Sequence, residues 1–153
     1  MKKISLLIFI AVVSAFAMSS QGMPEAARWT MSVKMTSATD GVVTLKANVN
    51  QGWHIYGTDL PKGGPKPTVI DFGGSVGVRF ISETVPSIKP VSKVDKMFNL
   101  PLTWWDSSVK FSRKFKVVRK DNARINASVT FMGCNDETCL PPKTVKLSRE
   151  IKK

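Results

Sequence analysis

A chain of 153 residues fits one domain that buries its own core, which excludes a scaffold dependent on disulfide staples. Its net charge of +12 does not come from one basic block. Lys34, Lys46, Lys110, Lys114, Lys116 and Lys146 are spread along strand-like segments, so they read as a solvated sheet face and not as a nucleic-acid site. With two cysteines and one histidine in all, a closed zinc site lacks ligands.

The chain opens on Lys2-Lys3, an apolar run from Ile4 to Ala17 and the small-residue pattern Ala15-Phe16-Ala17, the form of a secretory signal peptide. The run is shorter than the roughly 20 residues that span a bilayer. No cysteine follows it to carry a lipid. Residues 1–17 are therefore expected to be a signal peptide and residues 18–153 one exported domain without stable membrane insertion.

Arg28–Thr36 alternates, with Trp29, Met31, Val33 and Met35 on one side, and period two predicts a half-buried strand. After Asp40-Gly41, Val43, Leu45, Ala47 and Val49 repeat the pattern, so the two segments predict a hairpin. Trp53-His54-Ile55-Tyr56 leads into a Gly/Pro-rich loop, Gly57–Pro67; a loop of that length is often functional. Thr68–Phe72 and Val76–Ser82 predict short strands, the second aiming Val76, Val78 and Phe80 to one face. From Glu83 to Pro101 alternation fails, yet Val94, Met97, Phe98 and Leu100 are apolar and need something to cover.

Leu102–Asp106, with Trp104-Trp105, and the stretch Val109–Val117 predict two more strands. Arg113 is the inward charge in the second, expected at a bulge or an edge. Ile125, Ala127, Val129 and Phe131 predict a strand that ends at Gly133, and Val145, Leu147 and Ile151 predict the last. No segment carries a helical period. Eight or nine strands separated by turn signals predict an all-β fold, an immunoglobulin-like antiparallel β-sandwich, with a barrel as the alternative.

Between the last two strands lies Phe131–Leu147, FMGCNDETCLPPKTVKL, holding Cys134 and Cys139. An exported lone pair is by default a structural bridge. A ring of about six residues, however, contributes only roughly 2 kcal/mol of loop-closure entropy, against roughly 4 for a bridge spanning fifty. At a hairpin mouth such a ring is expected to be exposed and somewhat strained, which suits thiol–disulfide exchange. Asp136 and Glu137 inside the ring disfavour a thiolate and Lys143 favours one. Haem attachment would need C-x-x-C-H, which is absent. His54 reads as a packed strand residue before it reads as a base or ligand. The residues thus leave two functions open: redox exchange, or an exported binding or envelope module that uses the Gly/Pro loop and Trp104-Trp105, with a structural disulfide.

Three stretches, Gly52–Tyr56 (GWHIY), the loop leading to Pro67-Thr68 and Phe131–Pro142 (FMGCNDETCLPP), resemble the amino-terminal periplasmic domain of the thiol:disulfide interchange protein DsbD family, in a stand-alone version. The resemblance covers about Trp29 to Ile151. It implies a redox-active disulfide with no other cofactor and no metal, in a periplasmic monomer that takes electrons from a membrane donor. It implies delivery to thioredoxin-fold periplasmic proteins and a link to cytochrome c biogenesis. By resemblance Cys139 forms the mixed disulfides and Cys134 resolves them. Phe98 is the cap aromatic, with Met97 the second choice, and Tyr56 is the aromatic beside the cysteines. The chain departs from the family pattern in having one residue fewer between its cysteines, and Lys96 and Met97 where acidic residues precede the cap aromatic. The membrane and thioredoxin-like domains of full-length members are absent from this sequence, so the donor is expected to be another polypeptide.

Overall fold

The computed structural model describes residues 24–151, so the signal-peptide segment lies outside the described residues. Strand β1 (Ala27–Met35) and strand β2 (Asp40–Val49) form the predicted hairpin, with Trp29 opposite Ala47 and Met31 opposite Leu45. Its turn is closed by Asp40, whose carboxylate accepts from Ser37 Oγ at 2.7 Å and whose carbonyl accepts from Thr36 N at 2.8 Å.

The chain continues through β3 (His54–Tyr56), β4 (Val69–Asp71), β5 (Val78–Phe80), β6 (Val85–Pro86), β7 (Val91–Asp95) and β8 (Leu100–Trp105). It finishes with β9 (Val109–Val117), β10 (Arg124–Phe131), β11 (Gly133–Cys134) and β12 (Lys143–Glu150). One sheet runs β1-β2-β9-β5, with β6 also on β9; a second runs β12-β10-β4; a third runs β11-β3-β8-β7. Every pairing is antiparallel. There is no helix among the described residues, and the architecture is an immunoglobulin-like β-sandwich.

Its core is made by the alternation visible in the sequence. Val43, Leu45 and Ala47 from β2, Val109, Phe111 and Phe115 from β9, and Ile125, Val129 and Phe131 from β10 are all buried in one cluster with Trp29. Each large side chain contributes roughly 1.5–3 kcal/mol on burial. A register slip by one residue would turn a whole strand's set outward, which is why these long strands hold their pairing.

Arg113 occupies neither a bulge nor an edge. It stands in unbroken register opposite Val43, its guanidinium lying 4.7 Å from the Phe80 ring centroid and its Nε donating to Ser82 O at 2.8 Å. Aromatic faces and a carbonyl satisfy the charge where a bulge was expected to expel it.

The segment Glu83–Pro101, expected to be irregular, contains β6 and β7. Pro86 is tolerated because β6 pairs only with β9, leaving a proline at a sheet margin. In β7 every residue before Asp95 is exposed or half-buried, so no apolar alternation existed to be read. The predicted strand Val76–Ser82 shrinks to β5. Gly77, with φ of 70°, turns the chain between Val76, which is exposed, and Val78, which packs on the core.

Candidate functional site

The cysteine ring sits between β10 and β12, which pair from Arg124 opposite Glu150 to Phe131 opposite Lys143. The sequence places the pair at this hairpin mouth, and the structure agrees. It departs from expectation on exposure. β11 joins Gly133 and Cys134 to Ile55 and His54 of β3, drawing Cys134 inward until it is 1% exposed. Gly133 is required there: a Cβ on it would run into Ala26. Cys139 stays partly exposed, so the two bonded sulfurs have unequal access.

The ring's backbone is held independently of the sulfurs. Asn135 N donates to Thr138 O at 2.9 Å, and Asn135 Oδ1 accepts from Glu137 N at 2.9 Å and Thr138 N at 2.7 Å. Leu140 N donates to Gly133 O at 2.9 Å. This is an Asx-type turn, for which asparagine is suited by its short acceptor side chain. Asp136 and Glu137 are both exposed on it. Lys143 is engaged by Glu25, Nζ to Oε1 at 2.7 Å, and so does not serve as a free charge beside the cysteines. That hydrogen bond is the main reason the Glu25 carboxyl titrates below the ordinary carboxylate range.

Facing the ring is a turn following β7. Asp95 Oδ1 accepts from Met97 N at 2.8 Å and Phe98 N at 3.0 Å, and its backbone carbonyl accepts from Asn99 N at 2.8 Å. Asn99 closes the turn with φ of 51°. The other carboxylate oxygen accepts from Tyr56 Oη at 3.0 Å. Tyr56 is fully buried; burial first, and then the hydrogen bond to Asp95, raise its phenol pKa far above the ordinary value. The phenol is thus a fixed donor that ties the turn to β3.

The turn presents both predicted cap residues. The Met97 thioether sulfur lies 3.2 Å from Cys139 Sγ; with the cysteine oxidised this is a sulfur–sulfur contact and not a hydrogen bond. Phe98 meets Tyr56 edge-on, ring centroids 5.9 Å apart, within a cluster that also contains Leu102, Cys134 and Cys139. Sequence reasoning passed over Asp95. Its signal was an aspartate opening a short turn that ends in Asn99, the pattern of a side chain capping backbone N–H groups.

Beside Cys134 a cleft of about 480 Å³ is lined by His54, Trp104, Asp95, Met97, Asp106 and Asp136, among others. His54 packs on Tyr56 and Trp104 at centroid distances of 5.1 and 5.3 Å. Its Nε2 is buried without a hydrogen-bond partner. Desolvation lowers its pKa, opposed by the charges of Asp95, Asp106 and Asp136. Trp105 is core: it is 2% exposed, stacks edge-on to Phe111 at 5.0 Å and donates Nε1 to Ile88 O. Only Trp104 of that pair lines the cleft. The Gly57–Pro67 loop is pinned at its base by Gly57 N to Thr103 O at 2.7 Å and Thr68 Oγ1 to Tyr56 O at 2.6 Å. Among the described residues, no group of three or more His, Cys, Asp or Glu side chains could hold a metal ion.

A β-sandwich with a short disulfide ring, one sulfur buried and the other beneath a turn, defines an immunoglobulin-like domain with a shielded disulfide. The chain belongs to the family described as thiol:disulfide interchange protein DsbD, N-terminal, whose model matches residues 19–150; thiol–disulfide interchange is what that family is named for. Two solved structures share the fold. The N-terminal periplasmic domain of ScsB from Proteus mirabilis aligns with TM-score 0.59 and 19% identity, over 82% of this chain and 46% of that one. The DsbD N-terminal domain of Neisseria meningitidis in its reduced form aligns with TM-score 0.51 and 14% identity, over 84% and 87%. The chain thus spans under half of the ScsB chain it matches. No curated protein matches the sequence. No helix among the described residues is long and apolar enough to cross a membrane.

Proposed function

We propose that this chain is a periplasmic thiol–disulfide relay domain that accepts electrons from a membrane donor and passes them to thioredoxin-fold proteins through Cys134 and Cys139. The observation that carries the proposal is the unequal access of the two sulfurs: Cys134 is 1% exposed and Cys139 partly exposed. An incoming thiolate has one sulfur to attack.

In the reductive half, a donor thiolate attacks Cys139 Sγ. The Cys134–Cys139 bond breaks, Cys134 leaves as a thiolate and takes up a proton, and a mixed disulfide forms at Cys139. The donor's second thiolate then attacks its own sulfur in that bond and leaves oxidised, releasing the Cys139 thiolate and a two-electron-reduced domain. In the oxidative half, the Cys139 thiolate attacks an acceptor disulfide. Cys134, deprotonated, then attacks Cys139 Sγ, which restores the ring and frees the acceptor as a dithiol. Met97 and Phe98 act as a shield that a docking partner displaces, Asp95 and Tyr56 position that shield, and exposed Asp136 and Glu137 face the partner.

The test is trapping. Cys134→Ser should accumulate a mixed disulfide with a thioredoxin-fold protein through Cys139, and Cys139→Ser should not. A bridge inert to such proteins, with no trapped complex from either variant, would overturn the reading.

A further inference from the structure

Five of the six strand lysines named from the sequence, all but Lys146 of β12, lie on one sheet. Alternation sends Arg28 and Lys34 of β1, Lys46 of β2, Lys110, Lys114 and Lys116 of β9, and Arg79 of β5 to the outer face of the β1-β2-β9-β5 sheet, opposite the buried positions. Asp40 is the one acid at the outward positions of these strands. It pairs weakly with Lys116 at 3.9 Å.

The register sets like charges against each other. Lys46 lies directly opposite Lys110, and Lys116 directly opposite Arg79. Directly opposed side chains stand about 5 Å apart, and like charges there are destabilising. Lysines that guard a sheet against edge pairing belong on its margins. β2 and β9 are interior strands, so that role does not account for Lys46 and Lys110. Exposed aliphatics share the face: Val85, opposite Ser112, is 59% exposed, and Ile81, whose N–H bonds Lys114 O, is 51% exposed. No aromatic stands at the outward positions of β1, β2, β5 or β9.

We infer that this face is a docking surface for an anionic phospholipid bilayer. Lysines and arginines near an anionic leaflet are attracted to it, and aliphatic side chains among them add apolar contact at the headgroup level. A single-stranded nucleic acid would want aromatic platforms for its bases, which the face lacks. The inference stands without the relay. Joined to it, adsorption keeps the cysteine ring near the bilayer, since Glu25 bridges from Arg28 on this sheet to Lys143 beyond the ring.

The experiment is co-sedimentation of the purified protein with vesicles of phosphatidylcholine alone or with about one-third phosphatidylglycerol. Binding is expected only to the anionic vesicles, and is lost at about 0.5 M salt. The triple variant Lys46→Gln, Lys110→Gln, Lys114→Gln should partition on the order of 100-fold more weakly, roughly fivefold for each charge. A control of equal net charge, Lys62→Gln, Lys66→Gln, Lys146→Gln, should lose far less. Both variants must give the wild-type circular dichroism spectrum. The triple variant is expected to melt no lower than wild type, because a repulsive pair has gone. Failure to bind anionic vesicles, equal loss in the two variants, or binding to duplex DNA or an acidic protein in place of vesicles overturns the inference.

Discussion

Met97 Sδ touches Cys139 Sγ at 3.2 Å, whereas its neighbour Phe98 spends its ring on the edge of Tyr56. Two adjacent residues of one turn therefore make different contacts, one with the disulfide and one with the tyrosine beneath the turn. Met97 is 49% exposed, so Met97→Ala should leave stability nearly unchanged and speed reduction of the disulfide by a small thiol several-fold. Phe98→Ala should instead cost about 2 kcal/mol, because it empties half-buried space. Stopped-flow reduction and urea unfolding separate the two. An unchanged reduction rate in Met97→Ala would remove the shielding role.

Asp95 holds the turn through three side-chain hydrogen bonds, two from backbone N–H groups and one from Tyr56. Asp95→Ala deprives them all of an acceptor and should cost roughly 3 kcal/mol. It should also raise the small-thiol reduction rate as the turn loosens. Tyr56→Phe removes one bond and should cost about 1 kcal/mol while leaving the turn in place. Equal effects from the two variants would contradict a turn organised by the carboxylate.

His54 carries a pH signature. Its pKa is depressed in the fold, chiefly by desolvation, so the unfolded chain takes up a proton before the folded one does. Stability should be indifferent to this group above its ordinary value near 6.5 and should fall as pH drops through it, levelling off below the folded value. Denaturant midpoints from about pH 8 to about pH 5 should decline more in wild type than in His54→Gln. Parallel declines would show that burial of this imidazole carries no cost, and with only one histidine in the chain no second imidazole confuses the result.

The Glu25–Lys143 pair behaves in the opposite sense. Glu25 titrates low in the fold because Lys143 hydrogen-bonds it, so its contribution is present above the unfolded carboxylate value and disappears as pH falls through the folded one. Glu25→Gln should cost about 0.5 kcal/mol near neutrality, as expected for a partly exposed pair, and nothing in strong acid. A pH-independent difference between the proteins would assign the effect to packing.

How much of this could be read beforehand follows from where the information lies. Alternation in β1, β2, β9 and β10 reported burial on one face, and that is a property of each strand alone. The β7 strand was invisible because its partner β8 supplies hydrogen bonds while its side chains remain largely in water. Arg113 misled because its neutralising partners, the Phe80 ring and the Ser82 carbonyl, lie about thirty residues away. The burial of Cys134 was missed for a related reason: it depends on β11 reaching back to His54, a contact that no local pattern encodes. The apolar residues of the turn were legible in an irregular stretch, but the separate contacts of Met97 and Phe98 needed the turn that Asp95 builds.

The ring's own hydrogen bonds have a further consequence. Asn135, Thr138, Leu140 and Gly133 hold the loop closed without using either sulfur, so cleaving the disulfide should leave in place the hydrogen bonds that bring Cys134 and Cys139 together. The reduced pair is then a preorganised reactant. Little orientational entropy remains to be lost when the bond re-forms, so each thiol meets the other at a high effective molarity. Ring closure should outrun capture by free thiols in solution. Asn135→Ala would test this by lowering the ratio of intramolecular closure to mixed-disulfide accumulation.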